Sequence, residues 1–130
     1  MLYAAHSGIR FLVLLAGLLV IVYAGIGLAG KKDYSPLMAR LASIFTGSLH
    51  FQVLVGVLVL LSRPFQTMLV GHIFMMIGAA VVAQFTTSVV RKRPPEEKTY
   101  GPHLVGALIS LALIAGGIMA IGRGVFQSTM

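Results

Sequence analysis

Seven polar side chains lie within or at the edges of long apolar stretches of this chain: His6, Arg10, His50, Gln52, His72, Gln84 and His103. Such groups are costly in hydrocarbon, and where a membrane helix carries them they mark ligand, ion or relay sites. Imidazole suits transition metals and haem iron, a carboxamide suits helix-to-helix hydrogen bonds, and a guanidinium suits carboxylate or phosphate. Cysteine is absent, which removes disulfides, thiolate metal sites, iron-sulfur clusters and the covalent attachment of c-type haem. A metal or cofactor must rest on His, Met or backbone. No Asp or Glu falls inside an apolar stretch, since Asp33, Glu96 and Glu97 all lie in connections. That argues against a carboxylate proton relay and against a cation-coupled transporter.

The elements that carry these residues are membrane spans. Of 130 residues, 58% are hydrophobic and 10% charged, against about a quarter charged in soluble domains. At roughly 20 apolar residues per crossing, four helices use most of the chain. The spans are expected near 6–29, 37–61, 68–90 and 102–121. Gly30-Lys31-Lys32-Asp33 closes the first, Pro36 opens the second, and Ser62-Arg63-Pro64 closes that one. Arg91 to Lys98, with Pro94 and Pro95, stops the third, and Pro102 suits the first turn of the fourth. The first stretch lacks a basic n-region and is too long for a signal peptide, so it reads as a retained span. The expected fold is an all-α integral membrane protein, one domain over residues 1–130, with four transmembrane helices in an up-down-up-down bundle.

Orientation follows from the basic residues. Lys31, Lys32, Arg40, Arg91, Lys92, Arg93 and Lys98 fall on one side, and Arg10, Arg63 and Arg123 on the other, seven against three. The positive-inside rule puts the first group in the cytoplasm and both termini outside. The net charge of +7 is thereby explained by membrane topology, without nucleic acid.

Three histidines then become candidate metal ligands. His6 and His72 lie near the outer ends of the first and third spans, diagonal neighbours in a bundle, and could face each other. His50 is about 11 residues from the outer end of the second span, roughly 16 Å deep, and is the most expensive of the four histidines to bury. Haem b needs two axial histidines in an apolar slot with small residues beside it. Arg10 shares a helical face with His6 and could pair with a propionate, while His72, Met76, Ala79 and Ala83 form one stripe. The plainer alternative is that each histidine hydrogen-bonds a neighbouring helix. For His103, beside Gly101-Pro102 at the cytoplasmic interface, that structural role is preferred. Gln52 lies about 200° around its helix from His50 and with Gly56 is expected to contact another helix. Gly106, Ser110 and Gly117, with Ala79 and Ala83, read as packing stripes.

His6-Ser7 followed by Arg10 and an aromatic residue, Ser48-Leu49-His50-Phe51-Gln52 with Gly56, and His72 followed by Met75-Met76 cover roughly the first 90 residues. In their order and spacing they resemble a family of small four-span bacterial membrane proteins labelled cytochrome b-like, found in Bacteroidota. Phe11 stands where that family would carry tryptophan, and the fourth span carries no distinguishing motif. The resemblance implies haem and a bacterial inner membrane. The leading expectation is thus a small haem-b-binding, electron-transfer-associated subunit with His6, Arg10, His50, His72 and Met76 at the cofactor. The second is a cofactor-free accessory subunit stabilising a larger respiratory or photosynthetic complex. The third is an independent membrane enzyme acting on quinone or lipid. Loops this short offer no surface to dock and process a soluble substrate, so membrane lipids and a larger complex are the expected partners.

Overall fold

A computed structural model describes residues 2–62 and 69–120, with side chains from residue 4 onward. The Arg63 turn, Met68 and Arg123 lie outside the described residues. The described chain forms α1 (Leu2–Ala29), α2 (Pro36–Ser62), α3 (Leu69–Lys92), a single 3-10 turn at Pro95–Glu97, and α4 (Gly101–Met119). All four α-helices are long and apolar enough to cross a membrane. The first helix begins at Leu2, since nothing in Leu2–Ala5 breaks a helix, and its stretch apolar enough to cross a membrane runs Ala4–Ala29.

The ends of α1 and α2 are chemically specified. Lys31 N–H bonds Leu28 O at 3.2 Å and Lys32 N–H bonds Gly27 O at 2.9 Å, which together form a Schellman closure. The left-handed residue is Lys31, with φ 51°. Glycine is the usual occupant of that position, and a side chain there costs about 1–2 kcal/mol. Lys31→Gly is therefore expected to raise stability by about 1 kcal/mol, measurable by chemical unfolding in detergent micelles. Ser35 caps α2: its Oγ accepts from Leu37 N–H at 3.0 Å, and Pro36 sits at the first helical position, where its missing N–H costs nothing.

Around the bundle, α1 packs on α2 and α4, and α3 packs on α2 and α4, leaving α1 diagonal to α3. The core is built largely from small residues: Ala16, Ala24, Ala42, Ala79, Ala83, Ala107 and Ser110 are all buried, alongside Val13, Val20, Met38, Phe45 and Leu49. Leu12, Leu15, Ile44, Leu54, Phe74 and Phe85 point outward. Small inside and large apolar outside is the pattern of helices that pack by close approach in lipid, where burying leucine against leucine gains little. Ser110 donates to Ala79 O at 3.2 Å, and Gly106 lies against Thr86, so the small-residue stripes expected on α3 and α4 meet each other. Further pairs join α1 to α2 at Gly17–Phe45 and His6–Gly56. On the α2–α3 side, Thr46 hydrogen-bonds Thr87 at 2.9 Å.

Candidate functional site

His6 and His72 come together across the diagonal. Their ring centroids are 6.3 Å apart with planes at 84°. His72 Nδ1–H donates to Gly117 O at 2.8 Å, which fixes its tautomer and leaves Nε2 with a lone pair, the arrangement a metal-ligating histidine uses. His6 lies against α2: a Cβ on Gly56 would stand 2.9 Å from its Cε1, so only glycine leaves room for the ring. Gln52 is buried and its Nε2 donates to His6 O at 2.7 Å. The expected helix contact of Gln52 and Gly56 is therefore with α1, at His6 itself. Two atoms in this layer, His6 Nδ1 and Gln52 Oε1, are buried with no hydrogen-bond partner.

Arg10, one turn further along α1, sits inside the bundle at 6% exposure, with its guanidinium carbon 4.5 Å from the Phe11 ring centre. Met76 packs against the core, its methyl 2.5 Å from where a Gly117 Cβ would be.

His50 is elsewhere. It is exposed on the outside of the α2–α3 pair, and its Nε2–H donates to Gln84 Oε1 at 2.8 Å, while Gln84 Nε2–H donates to Ser88 Oγ at 2.8 Å. Twelve residues separate Gln84 from His72, about 18 Å along α3. The structure thus joins His6 and His72 and leaves His50 with a different set.

Whether the pair can hold haem is decided by two dimensions. Imidazole–metal bonds of about 2.0–2.1 Å put the centres of two rings sharing one ion roughly 6 Å apart, and the observed separation meets that. A macrocycle across that axis must extend toward α2 and α4, where a Gly56 Cβ would already crowd the His6 ring and the Gly117 carbonyl holds His72. A porphyrin there would need α2 and α4 to stand further apart at these two contacts. No group of three or more His, Cys, Asp or Glu is placed to hold a metal among the described residues.

The other end of the bundle carries an aromatic cluster that sequence reasoning did not find. Tyr34 OH and His103 Nε2 share a hydrogen bond of 2.8 Å and their rings stack at 5.8 Å. Tyr100 packs 5.5 Å from Tyr34 and 6.1 Å from Tyr23, and its hydroxyl donates to Asp33 O at 2.7 Å. Tyr23 donates to Ser35 Oγ at 2.9 Å. The four residues come from two helices and two connections, so no local spacing announces them.

Burial pushes the Tyr34 hydroxyl above its ordinary range, with Tyr100 adding to the effect. Burial does the same to Tyr100, with Tyr23 adding. A phenol kept neutral in the folded chain contributes stability that is fully present below about pH 10, the ordinary tyrosine value, and is lost as pH rises through the raised folded values. Following tyrosinate absorbance in a base titration, Tyr34→Phe and Tyr100→Phe are each expected to remove a late-ionising component. Curves superimposable on the parent would contradict this.

Beside that cluster lies a cleft of about 630 Å³ lined by Gly27, Leu28, Lys31, Lys32, Asp33, Tyr34, Pro95, Glu96, Lys98, Thr99 and Tyr100. The fold and these sites define a four-helix bundle of membrane-spanning type. No protein-family model matches the chain, and no curated protein and no solved structure is significantly similar to it.

Proposed function

We propose that this chain is a small multi-pass accessory subunit of a larger membrane complex in a bacterial inner membrane, free of cofactor, with helices in up-down-up-down order and both termini outside. The observation that carries the partner is the His50–Gln84–Ser88 chain on the outer surface of α2 and α3. Polar side chains at membrane depth face a bundle interior or water, not lipid. Ser43 and Gly47, both exposed on the same face of α2 as His50, allow another helix to approach closely. A partner helix laid along this seam would cover all of them.

Three of the four histidines already hold bonds to other segments, His50 with Gln84, His72 with Gly117 and His103 with Tyr34, which supports a fastening role. Support for the helix order comes from the contact pairs: numbers rise on one helix as they fall on its neighbour, as in His6–Gly56 with Gly17–Phe45 and His72–Gly117 with Ala79–Ser110. The seven-to-three distribution of basic residues supports the orientation.

A photo-crosslinking residue at Phe51 or Phe85, both exposed beside the seam, is compared in whole cells with one at Leu108, exposed on α4. Protein adducts are expected from the first two and only lipid adducts from the third. The reading fails if all three positions label lipid alone. His50→Leu combined with Gln84→Leu is expected to reduce recovery of the crosslinked partner severalfold.

A second reading keeps an electron-transfer role, with haem b or another metal centre between His6 and His72. It is favoured by their 6.3 Å separation and by the orphaned His6 Nδ1 and Gln52 Oε1. Reduced-minus-oxidised absorbance of the purified protein tests the haem form: a stoichiometric Soret and α-band signal is required by it and excluded by the cofactor-free reading.

A further inference from the structure

We propose that the cleft between the end of α1 and the start of α4 binds the phosphate headgroup of an anionic phospholipid. Its position is the first argument. α1 ends at Ala29 and α4 begins at Gly101, so the cleft lies where the apolar helices stop, at headgroup depth for a chain that spans the bilayer. Leu28 and the Tyr100 ring give it an apolar wall toward the acyl region, and Tyr34 and Thr99 bring hydroxyls.

Charge is the second argument. Lys31, Lys32 and Lys98 line the cleft with Asp33 and Glu96, three positive side chains against two negative. Among the described residues no side-chain ion pair or hydrogen bond engages any of the three ammonium groups, so none is tied directly to a carboxylate. Basic pockets between membrane helices at this level are suited to anionic headgroups.

The backbone supplies the third. Gly30 lies one residue before the left-handed position, yet that position is filled by Lys31 at φ 51°. A strained non-glycine residue persists where its side chain is needed, and here the side chain lines the cleft.

The test uses the full chain in phosphatidylcholine nanodiscs, with phosphatidylglycerol, phosphatidylethanolamine or inorganic phosphate added. Native mass spectrometry counts retained lipid, and thermal unfolding reads stabilisation. Phosphatidylglycerol is expected to be retained and to raise the unfolding temperature, with at least tenfold weaker retention in Lys31→Gln/Lys32→Gln/Lys98→Gln. Arg91→Gln/Lys92→Gln/Arg93→Gln, which removes the same charge outside the cleft, is expected to retain it within threefold. Lys31→Gly separates binding from folding: the variant is expected to unfold at a higher temperature without lipid and yet to retain less phosphatidylglycerol. Equal losses in the two triple variants would overturn the site in favour of diffuse surface charge. Inorganic phosphate matching the lipid effect, or phosphatidylethanolamine retained as well as phosphatidylglycerol, would overturn the assignment of an anionic lipid.

Discussion

Alanine at Gly27 is expected to destabilise the protein by about 1–3 kcal/mol, whereas alanine at Gly25, two residues earlier in the same helix, is expected to leave it unchanged or stabilise it by up to about 1 kcal/mol. A Cβ at Gly27 would stand 2.6 Å from Tyr100 Cε2, and at Gly25 it would meet nothing within 4 Å. The ring cannot step aside. It is packed between Tyr23 and Tyr34, and its hydroxyl is tied to Asp33 O at 2.7 Å, so a shift breaks a partly buried hydrogen bond and two ring contacts together. The helix-propensity gain is common to both substitutions, which makes their difference a measure of the clash alone. Unfolding of both variants in one detergent, read by circular dichroism, checks it. Equal stabilities would mean that α4 is not seated against the end of α1 as described.

The helices were legible because each combines an apolar run of sufficient length with a chemical stop. Pro36 and Pro102 fall at or next to the first helical position, and Pro94 and Pro95 lie just past the end of α3. The apposition of His6 and His72 was legible for a similar reason: both lie near the same end of helices that short loops make diagonal. Gln52 and Gly56 could be read as a helix contact from spacing alone, although not that the contact would be His6. Depth, by contrast, misdirects for His50. Distance from a helix end says how deep a residue lies, whereas the face it occupies depends on which neighbours the helix acquires, and α2 turns Thr46 and Leu49 inward and His50 outward. The cluster of Tyr23, Tyr34, Tyr100 and His103 could not be seen at all. Its hydrogen bonds cross separations as long as 69 residues, and a tyrosine at a span end reads equally well as an ordinary interfacial anchor.

Alanine substitutions at the four histidines set the cofactor-free reading against the haem reading more sharply than any other change. In a cofactor-free subunit the purified protein shows no Soret band. His72→Ala then loses the bond to Gly117 O and about 1 kcal/mol of stability. His6→Ala removes a ring that Gly56 was left bare to accommodate, and His50→Ala weakens attachment to the partner without loosening the bundle. If instead an iron lies between α1 and α3, His6→Ala and His72→Ala should each abolish the bound-haem signal outright. In that case His50→Ala should preserve it, because His50 bonds Gln84 about 18 Å along α3 from His72. His103→Ala should likewise preserve it, since His103 is stacked on Tyr34 at the opposite end. Loss of signal in His50→Ala with His6→Ala unaffected would contradict both the pairing of His6 with His72 and the placement of His50 on the outer surface. A haem signal would also require α2 and α4 to separate at Gly56 and Gly117. Bulk at those two positions then becomes diagnostic: Gly56→Ala crowds the His6 ring in the closed packing, and it would be tolerated only by a bundle that has already opened around a macrocycle.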